Sequence, residues 1–197
     1  MRTRIVQCVI ALLINTLFLA GCTDMATNVA VTGAQAVYNQ HSLQKQWEDQ
    51  YISMQAFRAL DVDDTRFKNA NISIATFNNE VLLAGQTPYA WQRAMAEDRV
   101  KQIPDVKRVY NLITVSSPSS PLTRMSDAWI TAKIKAKLIA SSDVDATQVK
   151  VVTENGTVYL MGILLPSEAQ AAVDLARTTD GVERVVKVFS YLRISRT

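Results

Sequence analysis

Apolar and polar positions alternate from Val149 to Glu154, break at Asn155-Gly156, and resume as a mostly apolar run from Thr157 to Gly162. A strand-like run on either side of Asn-Gly predicts antiparallel strands joined by a two-residue type I′ turn, which needs positive φ at both central residues. Upstream the spacing is helical from Ser126 to about Ala140, with Ser126 as the N-cap and Asp127 in the first turn. Downstream, Pro166 opens a second helix through Ala169, Ala172, Val173 and Ala176. Asp180-Gly181 ends it before a last strand, Val182 to Leu192. The predicted order is helix, strand, strand, helix, strand.

The chain writes this pattern twice. Ile72 to Gly85 superposes on Val149 to Gly162, so that TFNNEVLLAG in the first copy is a looser version of TENGTVYLMG in the second. Val106-Lys107-Arg108-Val109 answers Val182-Glu183-Arg184-Val185 with one residue fewer in between. A duplicated unit of about 70 residues follows. Asn78-Asn79 stands at the first turn, and should adopt the same positive φ because Asn tolerates it better than most residues. The fold class is α+β: two tandem domains, each with two helices packed on a small mixed three-stranded sheet. The first spans 42–116 and the second 124–197, joined by a linker at 117–123 in the Pro- and Ser-rich SSPSSPLT.

Ahead of the first domain, Arg2 and Arg4 precede an apolar run from Ile5 to Ala20, a charged n-region and an h-region of secretory type. The run is short for a membrane span, which needs about 20 residues. It closes on Leu19-Ala20-Gly21-Cys22, which resembles a bacterial lipobox: cleavage would remove 1–21 and leave Cys22 carrying diacylglycerol. Cys8 leaves with the signal, so the mature chain keeps one cysteine, its sulfur tied up in the thioether to the lipid, and no disulfide, thiol catalysis or Cys-based metal site. Residues 22–41 are small and polar, a tether or a marginal helix. Thr23 stands where aspartate would signal retention in the inner membrane, so sorting to the outer membrane is expected, with Asp24 one place later. Losing Arg2 and Arg4 takes the formal charge from +3 to +1, so global charge selects no partner and nothing points to nucleic acid.

The order of elements, with Asn155-Gly156, Val158, Leu160 and Gly162 on the hairpin and Gly181-Val182 before the last strand, resembles the BON domain. Two such domains behind a lipobox are similar to the dual-BON outer-membrane lipoproteins of the DolP type, and less closely to the soluble periplasmic OsmY type. The likeness is densest over SDAWITAKIKAKL, TENGTVYLMG and GVERV in the second copy. In the first, Asn79 replaces the turn glycine and IPDVKRV replaces the Gly-Val start. The resemblance implies a non-enzymatic phospholipid-binding module at the outer membrane that supports envelope integrity.

The helix of the second copy gives a reason of its own to think of lipid. With Ile130 at zero on a helical wheel, Ile134 and Leu138 fall within about 80° and form a core stripe. Trp129, Ala132, Ala136 and Ile139 form a second apolar stripe about 140° away, flanked by Lys133 and Lys135. An apolar stripe holding Trp and bordered by lysines is how a peripheral helix lies in a bilayer interface, here of anionic phospholipid. The same face could instead pack on the first domain, since Trp is common at domain interfaces.

Other residues carry less. His41 is the only histidine and is read as solvated in the tether. Asp61, Asp63 and Asp64 lack the glycine and glutamate of a calcium loop and are read as a solvated loop. No serine with a base, phosphate loop or repeated carboxylate pair suggests an enzyme, and no cofactor or metal is expected. Trp47, Tyr51 and Phe57 are expected in the core, and Glu48 and Asp49 beside them argue against anionic lipid at the first helix. Lys107, Arg108, Arg184 and Lys187 lie on or beside the final strands, where they bind headgroups or guard sheet edges. The rival function is a periplasmic adaptor for a protein, such as an outer-membrane assembly component or a peptidoglycan hydrolase activator.

Overall fold

The computed structural model describes residues 33–60 and 65–192. Cys22, the signal region and the Asp61, Asp63, Asp64 loop lie outside the described residues, as does the side chain of His41. The elements are α1 Gly33–Ala59, β1 Asn71–Phe77, β2 Glu80–Thr87, α2 Ala90–Lys101, β3 Arg108–Val115, α3 Pro121–Ala140, β4 Val149–Glu154, β5 Thr157–Leu164, α4 Pro166–Arg177 and β6 Arg184–Tyr191. Each half therefore runs helix, strand, strand, helix, strand, as the pattern predicts. In each sheet the middle strand pairs antiparallel with the first and parallel with the third, in the orders β1-β2-β3 and β4-β5-β6. These are two small mixed sheets.

Both hairpins turn on the expected pairs. Asn155 and Gly156 have φ of 48° and 71°, and Asn78 and Asn79 have 52° and 63°. Positive φ at both central residues gives a turn whose twist matches that of the flanking strands.

Two expectations about helices need correction. The third begins at Pro121, with Ser120 as N-cap accepting from the Thr123 N–H, not at Ser126. Pro is stable at the first helical position because its missing N–H would have no partner there, so part of the apparent linker is helix. Residues 33–41, left by the sequence between tether and helix, are also helical. The second correction concerns the aromatics of α1. Ile52, Ala56 and Leu60 fill the core stripe at successive turns, and Trp47, Tyr51 and Phe57 are exposed on the opposite face. Spacing, not residue type, decides which side of a helix is buried.

Every strand of the two centres is covered on both faces. Val81 and Leu83 of β2 pack with α1 and α2, and Val158 and Leu160 of β5 pack with α3 and α4. Between them, Leu82 and Ala84 meet Tyr159, Met161 and Val188 across the two sheets. The order of layers is helices, sheet, sheet, helices.

One polar cluster sits in this sheet-to-sheet seam. Glu154, 7% exposed, accepts from Asn71 Nδ2 at 2.9 Å, from Gln86 Nε2 at 3.4 Å and from Ser73 Oγ. All three donors come from the first half of the chain and none is a cation. Burial, with the charge of Asp127 adding, pushes the Glu154 carboxyl above its ordinary value near 4.5 despite these hydrogen bonds. A raised folded pKa favours the protonated native state. Its contribution is complete below the unfolded value and is lost as pH rises through the folded one. Relative to wild type, Glu154→Gln should therefore gain stability as pH rises across that window. Urea unfolding between about pH 4 and pH 8 checks it, and a constant difference between the two proteins would refute it.

Candidate functional site

The outer face of α3 is built by three devices. Ser120 and Pro121 start the helix early. Ile130, Ile134 and Leu138 are buried against β4, β5 and α4, which fixes the rotation of the helix about its axis. Asp127, buried in the second turn, fixes its height: its carboxylate accepts from Asn155 N–H at 2.8 Å and from Gly156 N–H at 2.9 Å. Positive φ at the turn points both amides toward the helix, and Thr131 Oγ1 adds a bond to Thr153 Oγ1 at 2.8 Å.

With the core stripe held inward, the second stripe is left outward. Trp129 is 67% exposed and Ile139 75%, and Ala132 and Ala136 are exposed between them. The early start adds Leu122 at 71% and Met125 at 65%, which lie on the same side of the wheel. The sequence missed these two because the helix was begun at Ser126. The signal was present in Ser-Pro, a capping residue followed by the residue best suited to the first helical position.

The two predicted lysines part company. Lys135 is exposed beside the stripe. Lys133 is half-buried and donates to Asp180 O at 2.8 Å, while Lys137, one turn on, donates to Thr178 O at 3.0 Å. Both reach carbonyls at and just beyond the C-terminal end of α4, where the orphan carbonyls and the helix dipole attract a cation. Lys133 thus ties α3 to α4, and Lys135 keeps its ammonium in solvent. The first half meets the second through the sheets, and the Trp129 face is not used for that contact.

The same frame recurs on α1. Asp49 accepts from Asn78 N–H and Asn79 N–H, both at 2.8 Å, and Ser53 Oγ bonds Thr76 Oγ1 at 2.9 Å. Asp49 is thereby turned to the hairpin, and Glu48 is paired with Lys45 at 2.6 Å. Neither acid stands on the aromatic face, so the argument that they repel lipid from it does not hold.

Elsewhere, Arg108 lies on the outer strand β3 and donates to Tyr110 Oη at 3.1 Å, and Arg184 and Lys187 lie on the outer strand β6. Cations on outer strands discourage pairing with other chains. Among the described residues no group of His, Cys, Asp and Glu is placed to hold a metal ion. No helix among them is long and apolar enough to cross a membrane.

Comparison with known proteins places this geometry in a family. The profile described as BON domain matches residues 48–117 and 126–193. The chain is 33% identical over 177 residues to the outer membrane lipoprotein DolP of Haemophilus influenzae, covering 90% of this chain and 92% of that protein. It is 36% identical over 148 residues to a 21 kDa hemolysin of Actinobacillus pleuropneumoniae, covering 75% and 76%. It is 32% identical over 145 residues to the osmotically-inducible protein Y of Escherichia coli, covering 70% of each.

Proposed function

The chain belongs to the BON-domain family and carries two copies of the domain, and from that premise we propose that it is an outer-membrane lipoprotein of the cell envelope that docks on anionic phospholipid through the outer face of α3. The relative named as an outer membrane lipoprotein aligns over nearly the whole of both chains, which supports the placement. Cys22 carries the anchor, and the folded body faces the periplasm. The chain acts as a binding module and performs no catalysis.

The observation that carries the lipid reading is the exposure of Leu122, Met125, Trp129 and Ile139 along one side of a helix whose opposite side is fully packed. A row of large apolar side chains facing water marks an interaction surface. Trp sits well at headgroup depth because its ring is apolar and its N–H is polar. Lys135 beside the row adds about 1 kcal/mol near an anionic surface. Weak contacts suffice, since the anchor already holds the body at the bilayer and raises its effective concentration there.

Vesicle co-sedimentation of the mature chain with Cys22→Ser, which removes the anchor, tests this. Binding should require anionic lipid and fall with Trp129→Ala, with no loss of stability because the ring is exposed. Lys135→Glu should weaken binding at low salt and lose its effect as salt screens the charge, within roughly 8 to 10 Å near physiological ionic strength. The effect of Trp129→Ala should survive the salt. Lys133→Glu is the poorer probe, because it also breaks the bond to Asp180 O. If Trp129→Ala unfolds the protein, or leaves vesicle binding unchanged, the face is not a lipid surface.

A further inference from the structure

The membrane reading leaves a second exposed face without an occupant. On α1, Trp47 is 74% exposed, Tyr51 50%, Met54 42% and Phe57 62%, in a stripe opposite the buried Ile52, Ala56 and Leu60. Four large apolar side chains in water on one helix mark an interaction surface.

A bilayer is the wrong occupant on two grounds. The layers run helices, sheet, sheet, helices, so the outer faces of α1 and α3 point in opposite directions, and one flat bilayer meets only one of them. The rim also differs. Around the α1 stripe stand Gln44, Gln46, Gln50 and Gln55, with Arg58 as the one cation on the face, whereas Lys45 and Asp49 are turned to the hairpin. Trp, Tyr, Met and Arg in a neutral rim are the composition of a protein contact.

We infer that this face is a self-association surface, on which α1 of a second copy docks antiparallel about a twofold axis. An isologous contact requires a face that complements itself. In an antiparallel pair centred between Ile52 and Ser53, Trp47 of each copy comes opposite Arg58 of the other, and Tyr51 opposite Met54. The first pairing places a guanidinium over an indole, and the second places a thioether on an aromatic ring. No charge meets its like. One helix pair buries a small area, at the low end for a specific contact, so the dimer forms where the anchor confines the chain to a surface. Because the α1 and α3 faces point in opposite directions, a pair joined through α1 lays the α3 face of only one copy on a given bilayer, and the membrane reading otherwise enters only through that confinement.

The test uses the full lipidated chain in membranes, where acylated Cys22 leaves no competing thiol. A copy with Tyr51→Cys and a copy with Met54→Cys, mixed and treated with a mild oxidant, should form a disulfide-linked dimer on a non-reducing gel. Trp47→Ser added to both copies should abolish that band without unfolding the protein, since the ring is exposed. Absence of the band in the mixture, its survival in the Trp47→Ser pair, or an equal band from Ile139→Cys copies each overturns the proposal. None of these outcomes depends on α3 binding lipid, which vesicle co-sedimentation reads separately.

Discussion

Gly85→Ala is expected to destabilise the protein by about 4 kcal/mol or more, a size reached by few point changes. The position lies two residues before the end of β2 in the first copy, as Gly162 lies two residues before the end of β5 in the second. A Cβ built on Gly85 would lie 2.1 Å from the carbonyl oxygen of Asn71 and 3.1 Å from its carbon. Those atoms belong to the backbone at the start of β1, so no rotamer change relieves the clash, and β1 must separate from β2. Gly85 also has φ of +118°, a region that costs a side-chain-bearing residue about 1–3 kcal/mol more. Gly162 meets Gln148 O at the same 2.1 Å but without positive φ, so Gly162→Ala should cost less by that strain. Urea unfolding of the two variants measures both terms. A Gly85→Ala protein within about 1 kcal/mol of wild type would show that the strands give way freely. A larger loss at Gly162 would remove the argument from φ.

That pair of glycines shows why the repeat was legible. A turn with positive φ and a close backbone approach are satisfied by very few residue types, so Asn78-Asn79, Asn155-Gly156, Gly85 and Gly162 announce their geometry locally. Ile130, Ile134 and Leu138 were legible too, because helical spacing names the buried side without reference to anything distant. What depends on the partner was hidden. Leu82 and Tyr159 belong to runs apolar at every position, a sign of cover on both faces, but nothing in either run says that the cover is the other sheet. Trp47, Tyr51 and Phe57 misled by type: three aromatics suggest a core, yet Ile52, Ala56 and Leu60 hold the spacing that fills it. At Lys133, a charge beside an apolar stripe gave no hint of the Asp180 carbonyl on another helix. The exposure of the outer face of α3 was thus legible where the helix's own period decides it, and hidden where a cap upstream or a neighbour across the fold does.

Asp127→Ala is expected to cost about 3 kcal/mol or more, and to show that the clamp beneath α3 is distinct from the surface above it. Removing the carboxylate takes away two hydrogen bonds to a charged group, each worth about 1.5–3 kcal/mol, and leaves the amides of Asn155 and Gly156 with no acceptor in a part-buried place. Asp127→Asn should rescue little. Its amide offers one acceptor oxygen and turns a donor toward the other N–H, donor against donor. Asp49→Ala should behave alike on α1, where the two bonds have the same form. Lipid binding should move the other way. Asp127 is buried, two residues before Trp129, so its loss removes no contact with a bilayer, and the local charge beside Lys135 becomes more positive. Protein that remains folded should bind anionic vesicles at least as well as wild type. Urea unfolding together with co-sedimentation at a temperature where the variant is folded separates the cases. Lost binding with unchanged stability would make Asp127 part of the lipid surface and would undo the division of α3 into a clamped inner face and a free outer one.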